Sequence, residues 1–137
     1  MSVHPYINYP GTCREALALY ARAFGSEPHI LTRADAPPDP EHPVPEAVRD
    51  LVMHSTLEIG GTTVMLADAN PDQPLNVGDN ITLMVANMQP EAIDRAFAVL
   101  AEGGQVAMAP QETFWSARYA QLTDRYGIGW QLSAEPA

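Results

Sequence analysis

One predicted strand carries an imidazole and a carboxylate side chain, which are the first candidates in this chain for metal binding or catalysis. His54 and Glu58 lie in a segment whose alternation predicts a β-strand, so both should project from the same face as Val52 and Thr56. Imidazole nitrogen and carboxylate oxygen are ligands that divalent metals accept. A metal held by His4, His54 and Glu58 is therefore one hypothesis, and hydrogen-bonded histidines are the alternative.

A second group of candidates lies in the last quarter of the chain and could bind a ligand. The Arg118 guanidinium could hold a carboxylate or phosphonate in two contacts, and the alternative is an ion pair with Glu112 or Asp124. Trp115 and Trp130 could stack on a flat ligand or belong to the core. Strand alternation separates Phe114, Ser116, Arg118, Ala120 and Leu122 from Thr113, Trp115, Ala117, Tyr119 and Gln121.

Other arrangements that support catalysis are absent from the sequence. There is no Ser-His-Asp order, no glycine-rich phosphate loop and no pair of carboxylates at helical spacing. The single cysteine, Cys13, cannot form an internal disulfide, and it lies on a predicted helix as a small, half-buried residue.

Two similar series of secondary-structure elements must position these candidates. Helical spacing of apolar residues predicts a helix that starts at Thr12 and stops at Gly25. A proline-rich segment, Asp35 to Asp50, predicts a loop or lid. The other elements of the first half are strands at Val3 to Tyr9 and Pro28 to Arg33 and a hairpin, Leu51 to Ile59 and Thr62 to Ala67, around Gly60-Gly61.

The second half repeats the first. A shift of 76 residues superposes the two helices, and a shift of 66 superposes Val64-Met65-Leu66 on Trp130-Gln131-Leu132. The sequence therefore predicts two β-α-β-β-β modules in an α+β fold, at residues 1–67 and 80–137, joined by a linker at 68–79 within one domain. The predicted elements are a strand at Asn80 to Ala86, a helix at Pro90 to Glu102, a strand at Gln105 to Ala109 and a hairpin at Gln111 to Ser133 with its turn at Asp124 to Gly127.

Composition excludes several classes of partner. The chain has 137 residues and a formal net charge of -10, so it offers no cationic surface for nucleic acid or for anionic lipid. No apolar run approaches a membrane span, and the N-terminus does not resemble a signal peptide. We expect a cytoplasmic protein whose partner is a small molecule.

The whole chain resembles the vicinal oxygen chelate superfamily, which includes glyoxalase I, bleomycin-resistance proteins, extradiol dioxygenases and fosfomycin-resistance enzymes. The motifs YINYPGTCREALALYARAFG, VMHSTLEIGG and QETFWSARYAQLTDRYGIGWQL are similar to its PhnB-like branch. Members of that branch are often labelled 3-demethylubiquinone methyltransferase-like. The resemblance implies two cupped modules that enclose a cavity, commonly completed in a homodimer.

The resemblance also implies where a metal would lie. Metal-using relatives carry their ligands on the first and last strands of each module, and a glutamate follows the last turn. The corresponding positions here are His4, Met65, Asn80 and Gln131, with Gln131 in place of the glutamate. Because amides and a thioether are poor ligands for a hard cation, we expect no tightly bound metal and no other cofactor.

Two functions follow as expectations, and a purely structural or regulatory dimer with a collapsed cavity is a third possibility. The first is binding of a ligand of a few rings or a short acid in the cavity of the paired modules. The second is a metal-dependent lyase, isomerase or dioxygenase that acts on an oxygen-rich substrate, with His4, His54 and Gln131 as weak ligands. The candidate ligand-binding residues are His4, Tyr6, His54, Glu58, Trp115, Arg118 and Gln131.

Overall fold

The computed structural model describes every residue from Met1 to Ala137, and the chain forms two compact units. Unit 1 holds residues 1–21 and 26–75, and unit 2 holds residues 22–25 and 76–137. Each unit contains a four-stranded mixed sheet, so the predicted α+β fold with two β-α-β-β-β modules is confirmed. The elements are β1 (Tyr6–Tyr9), α1 (Cys13–Phe24), β2 (His29–Thr32), β3 (Val52–Ile59), β4 (Thr62–Asp68), β5 (Thr82–Val85), α2 (Pro90–Leu100), β6 (Gln105–Gln111), β7 (Tyr119–Thr123) and β8 (Gly129–Ser133).

In unit 1 the strand order is β1-β4-β3-β2, with β1 and β4 parallel and the other pairs antiparallel. One face of this sheet is buried and includes Tyr9, Leu57 and Leu66. Apolar residues of α1 such as Leu17 are equally buried, as the helical spacing predicts. The side chains of the opposite face form no hydrogen bond with a helix of unit 1, and we call this the open face of the first sheet. It carries Tyr6, Asn8, His29, Leu31, His54, Thr56, Glu58, Thr63 and Met65.

A buried carboxylate fixes the start of α1. Asp68, at the end of β4, accepts hydrogen bonds from the backbone N–H of Cys13 and of Val52, both at 2.9 Å. These bonds satisfy an orphan N–H of the helix and the first N–H of β3 with one charged acceptor. The carboxylate therefore ties the helix to two strands of the sheet.

The strand alternation predicted for β3 is wrong at its first residue. The pairing shifts between Leu31, opposite His54, and Thr32, opposite Val52, so β3 contains one extra residue there. This β-bulge turns Val52 into the core, where it is fully buried, while His54, Thr56 and Glu58 keep the predicted common face.

In unit 2 the strand order is β5-β8-β7-β6, the counterpart of the order in unit 1. Its buried face includes Trp130, Leu122 and Leu132, and α2 adds Ile93 and Leu100 to the core. The open face of the second sheet carries Thr82, Met84, Tyr119, Gln121, Thr123, Gly129 and Gln131.

The predicted strand through residues 111–118 is wrong, because β7 begins only at Tyr119. Residues 112–118 form a loop centred on Ser116, whose side chain is 1% exposed. The Ser116 hydroxyl lies 2.7 Å from the Arg118 carbonyl oxygen and accepts from the Ala134 N–H at 3.0 Å. A buried polar side chain that serves the backbone in this way replaces the ladder hydrogen bonds of a strand.

The boundary between the units lies between Leu75 and Asn76, inside the predicted linker, although Asp68 still belongs to β4. Turn glycines behave as predicted: Gly25, Gly60 and Gly61 have φ of 69°, 58° and 81°. Neither helix has the length and apolar character that crossing a bilayer requires.

Candidate functional site

On the open face of each sheet, four residues that pair directly with one another across the four strands form a row. The two rows lie at equivalent strand positions. In the first sheet, Met65 of β4 is paired with Tyr6 on one side and Thr56 on the other, and Thr56 is paired with His29. This row therefore places a thioether between a phenol and a hydroxyl, with an imidazole at its end. None of its four side chains is buried.

In the second sheet, Gln131 of β8 occupies the position of Met65. It is paired with Met84 of β5 and Gln121 of β7, and Gln121 is paired with Met108. The polar groups are thus in the middle of this row and the thioethers at its ends.

The Gln131 carboxamide is held from both sides. Its Oε1 accepts a hydrogen bond from the Tyr119 hydroxyl, and its Nε2 donates to Thr82 Oγ1 at 2.8 Å. Tyr119 is 5% exposed, and burial raises the pKa of its phenol, so the group stays protonated and remains a donor. The result is a neutral, oriented chain of hydrogen-bonding groups on the open face, with one Nε2 hydrogen of Gln131 left for a ligand.

A small pocket of about 120 Å³ lies beside this chain. Gly129 is part of its lining, and a Cβ at that position would lie 2.9 Å from Thr82 Cγ2, so the close approach of the two residues favours glycine. The lining consists of Asp79, Ile81, Thr82, Ala107, Gln121, Leu122, Thr123, Gly127 and Gly129.

The two tryptophans have different roles. Trp130 is fully buried, and its Nε1 donates to Asp124 Oδ2 at 2.9 Å, so it belongs to the core. Trp115 is 43% exposed and meets the Tyr119 ring edge-on with centroids 5.3 Å apart. Phe114 in turn meets Trp115 in an edge-to-face contact, with ring centroids 4.8 Å apart. An accessible aromatic surface therefore adjoins the Tyr119–Gln131 hydrogen bond.

Arg118 does not join this group. Its Nε donates to Asp94 Oδ1 of α2 at 2.8 Å, so the guanidinium is neutralised on the helix side. The predicted ion-pair alternative was right in kind, but the partners named for it, Glu112 and Asp124, were wrong. The loop at residues 112–118 accounts for this difference, because it ends the alternation that would have aligned Arg118 with β7.

The predicted residues of unit 1 are brought partly together. The Tyr6 hydroxyl lies 3.2 Å from His54 Nδ1, and their rings stack with centroids 5.7 Å apart. Glu58 accepts a hydrogen bond from Thr63 on the same face. His4 is separate: its Nδ1 lies 2.9 Å from the Thr63 carbonyl oxygen and its Nε2 lies 2.7 Å from Ser2 Oγ.

No group of three or more His, Cys, Asp or Glu side chains is arranged to hold a metal ion. The predicted first-strand positions were wrong, because His4 precedes β1 and Asn80 precedes β5. The residues paired with Met65 and Gln131 are Tyr6 and Met84. His4 was placed from the predicted strand at Val3 to Tyr9, which begins too early. Asn80 was then placed by the helix shift of 76 residues, whereas Tyr6 and Met84 are 78 residues apart because the connections between strand and helix differ in length.

Sequence reasoning missed Thr82 and Tyr119 as partners of Gln131. Parallel pairing of β5 with β8 brings Thr82 into reach, and the chain offers no local pattern that specifies this register. Tyr119 was placed on the correct side of the alternation, next to Trp115 and Gln121, but its hydrogen bond depends on the antiparallel pairing of β7 with β8.

Comparison with known proteins places this geometry in a family. Residues 1–133 match the model of the family described as 3-demethylubiquinone-9 3-methyltransferase. Protein YjdN of Escherichia coli (strain K12) is 29% identical over 140 residues, which cover 97% of this chain and 95% of YjdN. The crystal structure of protein PA1353 from Pseudomonas aeruginosa is 30% identical, with a TM-score of 0.84 and 98% of each chain covered.

Two further structures define the branch and the fold. The PhnB protein from Bacillus cereus is 25% identical, with a TM-score of 0.76 over 98% of this chain and 99% of that one. The fosfomycin resistance protein FosX from Listeria monocytogenes is 13% identical, with a TM-score of 0.66 over 98% and 92% of the two chains, and so shares the fold alone. The predicted resemblance to PhnB-like proteins and to the glyoxalase fold is confirmed.

Proposed function

Because the chain belongs to the 3-demethylubiquinone-9 3-methyltransferase family, in its PhnB-like form, we propose that it binds a small organic molecule and does not transfer methyl groups. The ligand lies on the open face of the second sheet, against Gln131, Tyr119 and Trp115. The protein acts as a homodimer and holds no tightly bound metal. Methyl transfer is disfavoured because neither mixed sheet is the doubly wound parallel sheet that presents a cofactor to a helix N-terminus.

The observation that carries this proposal is the fixed carboxamide of Gln131. A polar group that is already oriented by Tyr119 and Thr82 loses little freedom when a ligand binds, so its remaining hydrogen bond contributes to affinity. The exposed ring of Trp115 supplies apolar contact area beside it. This combination of a few fixed polar groups and an aromatic wall is typical of ligand sites.

The charge of the face indicates the class of ligand. The one arginine near the loop, Arg118, is paired with Asp94, and Asp79 lines the pocket. An anionic ligand would therefore meet a carboxylate and no free cation. The expected ligand is a neutral, flat molecule with a carbonyl or amide group. Of the two ligand classes expected from the sequence, a molecule of a few rings is therefore favoured over a short acid.

Benzamide is a suitable probe, with benzoate as its charged control. Trp115 is accessible and Trp130 is fully buried, so ligand binding should quench the Trp115 part of the fluorescence. We expect saturable quenching by benzamide, weaker quenching by benzoate, and at least tenfold weaker benzamide binding in Gln131→Met. Gln89→Met, at an exposed residue that precedes α2 and forms no side-chain hydrogen bond to the helix, is the matched control and should bind as the wild type does. Quenching that is not saturable, or that is unchanged in Gln131→Met, would exclude this site.

The rival function is a metal-dependent lyase, isomerase or dioxygenase. It would use His4, His54 and Gln131, but both ring nitrogens of His4 are engaged by Ser2 and Thr63. Calorimetric titration with zinc, nickel, manganese and iron(II) separates the two functions. Binding at micromolar affinity or tighter, lost in His4→Ala, would favour the enzyme.

A further inference from the structure

The side chain of Arg33 stands apart from the other cations of unit 1. Its Nε atom is buried and has no hydrogen-bond partner. A buried donor without an acceptor costs free energy, and the cost is larger when the group is charged. Arg33 as a whole is half-buried, and its two terminal nitrogens form no hydrogen bond within the chain and are not buried, so they can meet an acceptor from outside it.

Most of the other arginines have a hydrogen-bond acceptor or an ion-pair partner within the chain. All seven basic residues are arginines, and the chain has no lysine. Arg33 forms no ion pair, whereas four other arginines each pair with a carboxylate. Arg14 donates to the backbone oxygen of Asp50. The ion pairs are Arg22 and Arg125 with Glu102, Arg49 with Glu46, and Arg118 with Asp94.

Arg33 is held in place by its backbone, which makes it a preorganised group. Its N–H donates to the Leu51 carbonyl oxygen at 3.3 Å, and the next N–H, of Ala34, donates to Arg49 O at 3.1 Å. The nearest acid in sequence, Asp35, is used elsewhere, since its Oδ2 accepts from the N–H and the hydroxyl of Thr32. The Thr32 N–H holds the pKa of Asp35 below its usual range, so that carboxylate is committed to its own turn.

Apolar side chains are exposed in the same stretch of strand. Leu31, two residues before Arg33, is 49% exposed, and Met53, in the bulged part of β3, is 42% exposed. The bulge between β2 and β3 falls at this point, and bulges redirect side chains next to functional sites. Arg33 and the exposed apolar residues Leu31 and Met53 therefore occupy neighbouring positions at one end of the first sheet.

We propose that Arg33 is an anion-binding residue for the carboxylate of a small amphipathic acid whose apolar part contacts Leu31 and Met53. A guanidinium presents donors that match a carboxylate in two contacts. A monoanion is favoured over a phosphate dianion because the chain carries a net charge of -10 and Arg33 is a single cation. This site lies in unit 1 and does not depend on the proposed site around Gln131.

Thermal unfolding with and without hexanoate tests the proposal. We expect hexanoate to raise the Tm of the wild type, acetate to raise it less at equal concentration, and 1-hexanol to have no such effect. Arg33→Met should abolish the hexanoate effect and should by itself raise the Tm, because it removes a buried Nε–H donor that has no acceptor. Arg95→Met, at an exposed arginine of α2, is the matched control and should keep the full response.

The same experiment can overturn the proposal in two ways. An equal hexanoate response in the wild type and Arg33→Met would place the anion elsewhere. A lower Tm of ligand-free Arg33→Met would mean that the guanidinium stabilises the fold by itself. If Arg33→Met does not fold, the NMR signal of the Arg33 Nε–H in the wild type decides: a saturable shift with hexanoate supports the site, and no shift rejects it.

Discussion

Met65 and Gln131 occupy the same place in the two sheets, yet one carries a thioether and the other a carboxamide held at both ends. The strands on either side of them pair in the same way in each unit. The backbone therefore fixes where a functional group can lie, and the side chain alone decides what it can do. The duplication has given one fold two different open faces.

Each unit also contains a buried carboxylate that serves the backbone, but the two are used differently. Asp68 joins the start of α1 to the start of β3. Asp124 closes the turn between β7 and β8 by accepting from the N–H groups of Tyr126 and Ile128, and it also binds Trp130 Nε1. Asp124 accepts from these three donors at 2.8 to 3.1 Å and Asp68 from two at 2.9 Å, so unit 2 should be the more sensitive to loss of its carboxylate.

The largest expected effect tests that difference. Asp124→Ala leaves three donors without this acceptor and should lower the free energy of unfolding by about 4 kcal/mol. Asp68→Ala should lower it by about 3 kcal/mol for its two donors. Urea denaturation measures both. Equal losses, or a larger loss at Asp68, would contradict the difference between the units.

An exchange of the central residues of the two rows should have a smaller effect. Gln131→Met removes the acceptor of the buried Tyr119 hydroxyl, and we expect a loss of about 1.5 kcal/mol in the free energy of unfolding. Met65→Gln, on a partly exposed position, should change it by less than about 0.5 kcal/mol. Chemical denaturation of both variants checks this asymmetry, and a costly Met65→Gln would show that the first row is equally constrained.

The smallest effect concerns a thiol that only unit 1 possesses. Burial, with a contribution from Asp68, raises the pKa of Cys13 from 9.0 to about 12. The stability this gives is fully present below pH 9 and is lost as pH rises toward 12, because the unfolded thiol ionises first. Between pH 9 and pH 10 we expect a loss of roughly 1 kcal/mol that is absent in Cys13→Ala. An aromatic disulfide reagent should react with Cys13 only on unfolding, and rapid reaction of the folded protein would contradict the burial.

The sequence was informative wherever structure is local. Helical spacing and Gly25 located α1, and Gly60-Gly61 located the first hairpin. The Asp124 turn was also predicted correctly: Gly127 has φ of 88° and its N–H donates to Asp124 O. These features depend on neighbouring residues, whose chemistry is visible in a single sequence.

The rest depended on pairing between distant segments. The bulge at Val52 arises from the register of β3 against β2, and the Arg118–Asp94 ion pair needs β7 to lie beside α2. Gln131 was singled out from the resemblance, as the position of the glutamate ligand of metal-using relatives, but its partners Thr82 and Tyr119 come from two other strands. A single sequence does not specify such a register, so the hydrogen-bond partners of Gln131 could not be predicted from it.

Gly129 and Thr82 have a consequence for how this family can vary. An added Cβ at residue 129 would meet Thr82 Cγ2 at 2.9 Å, and Thr82 also receives the Gln131 amide. A side chain at residue 129 must therefore displace Thr82 or take the place of its methyl group, and either change disturbs the hydrogen bond that orients the Gln131 amide. The two residues should therefore vary as a pair, and a chain in which that pair has changed is expected to hold residue 131 differently.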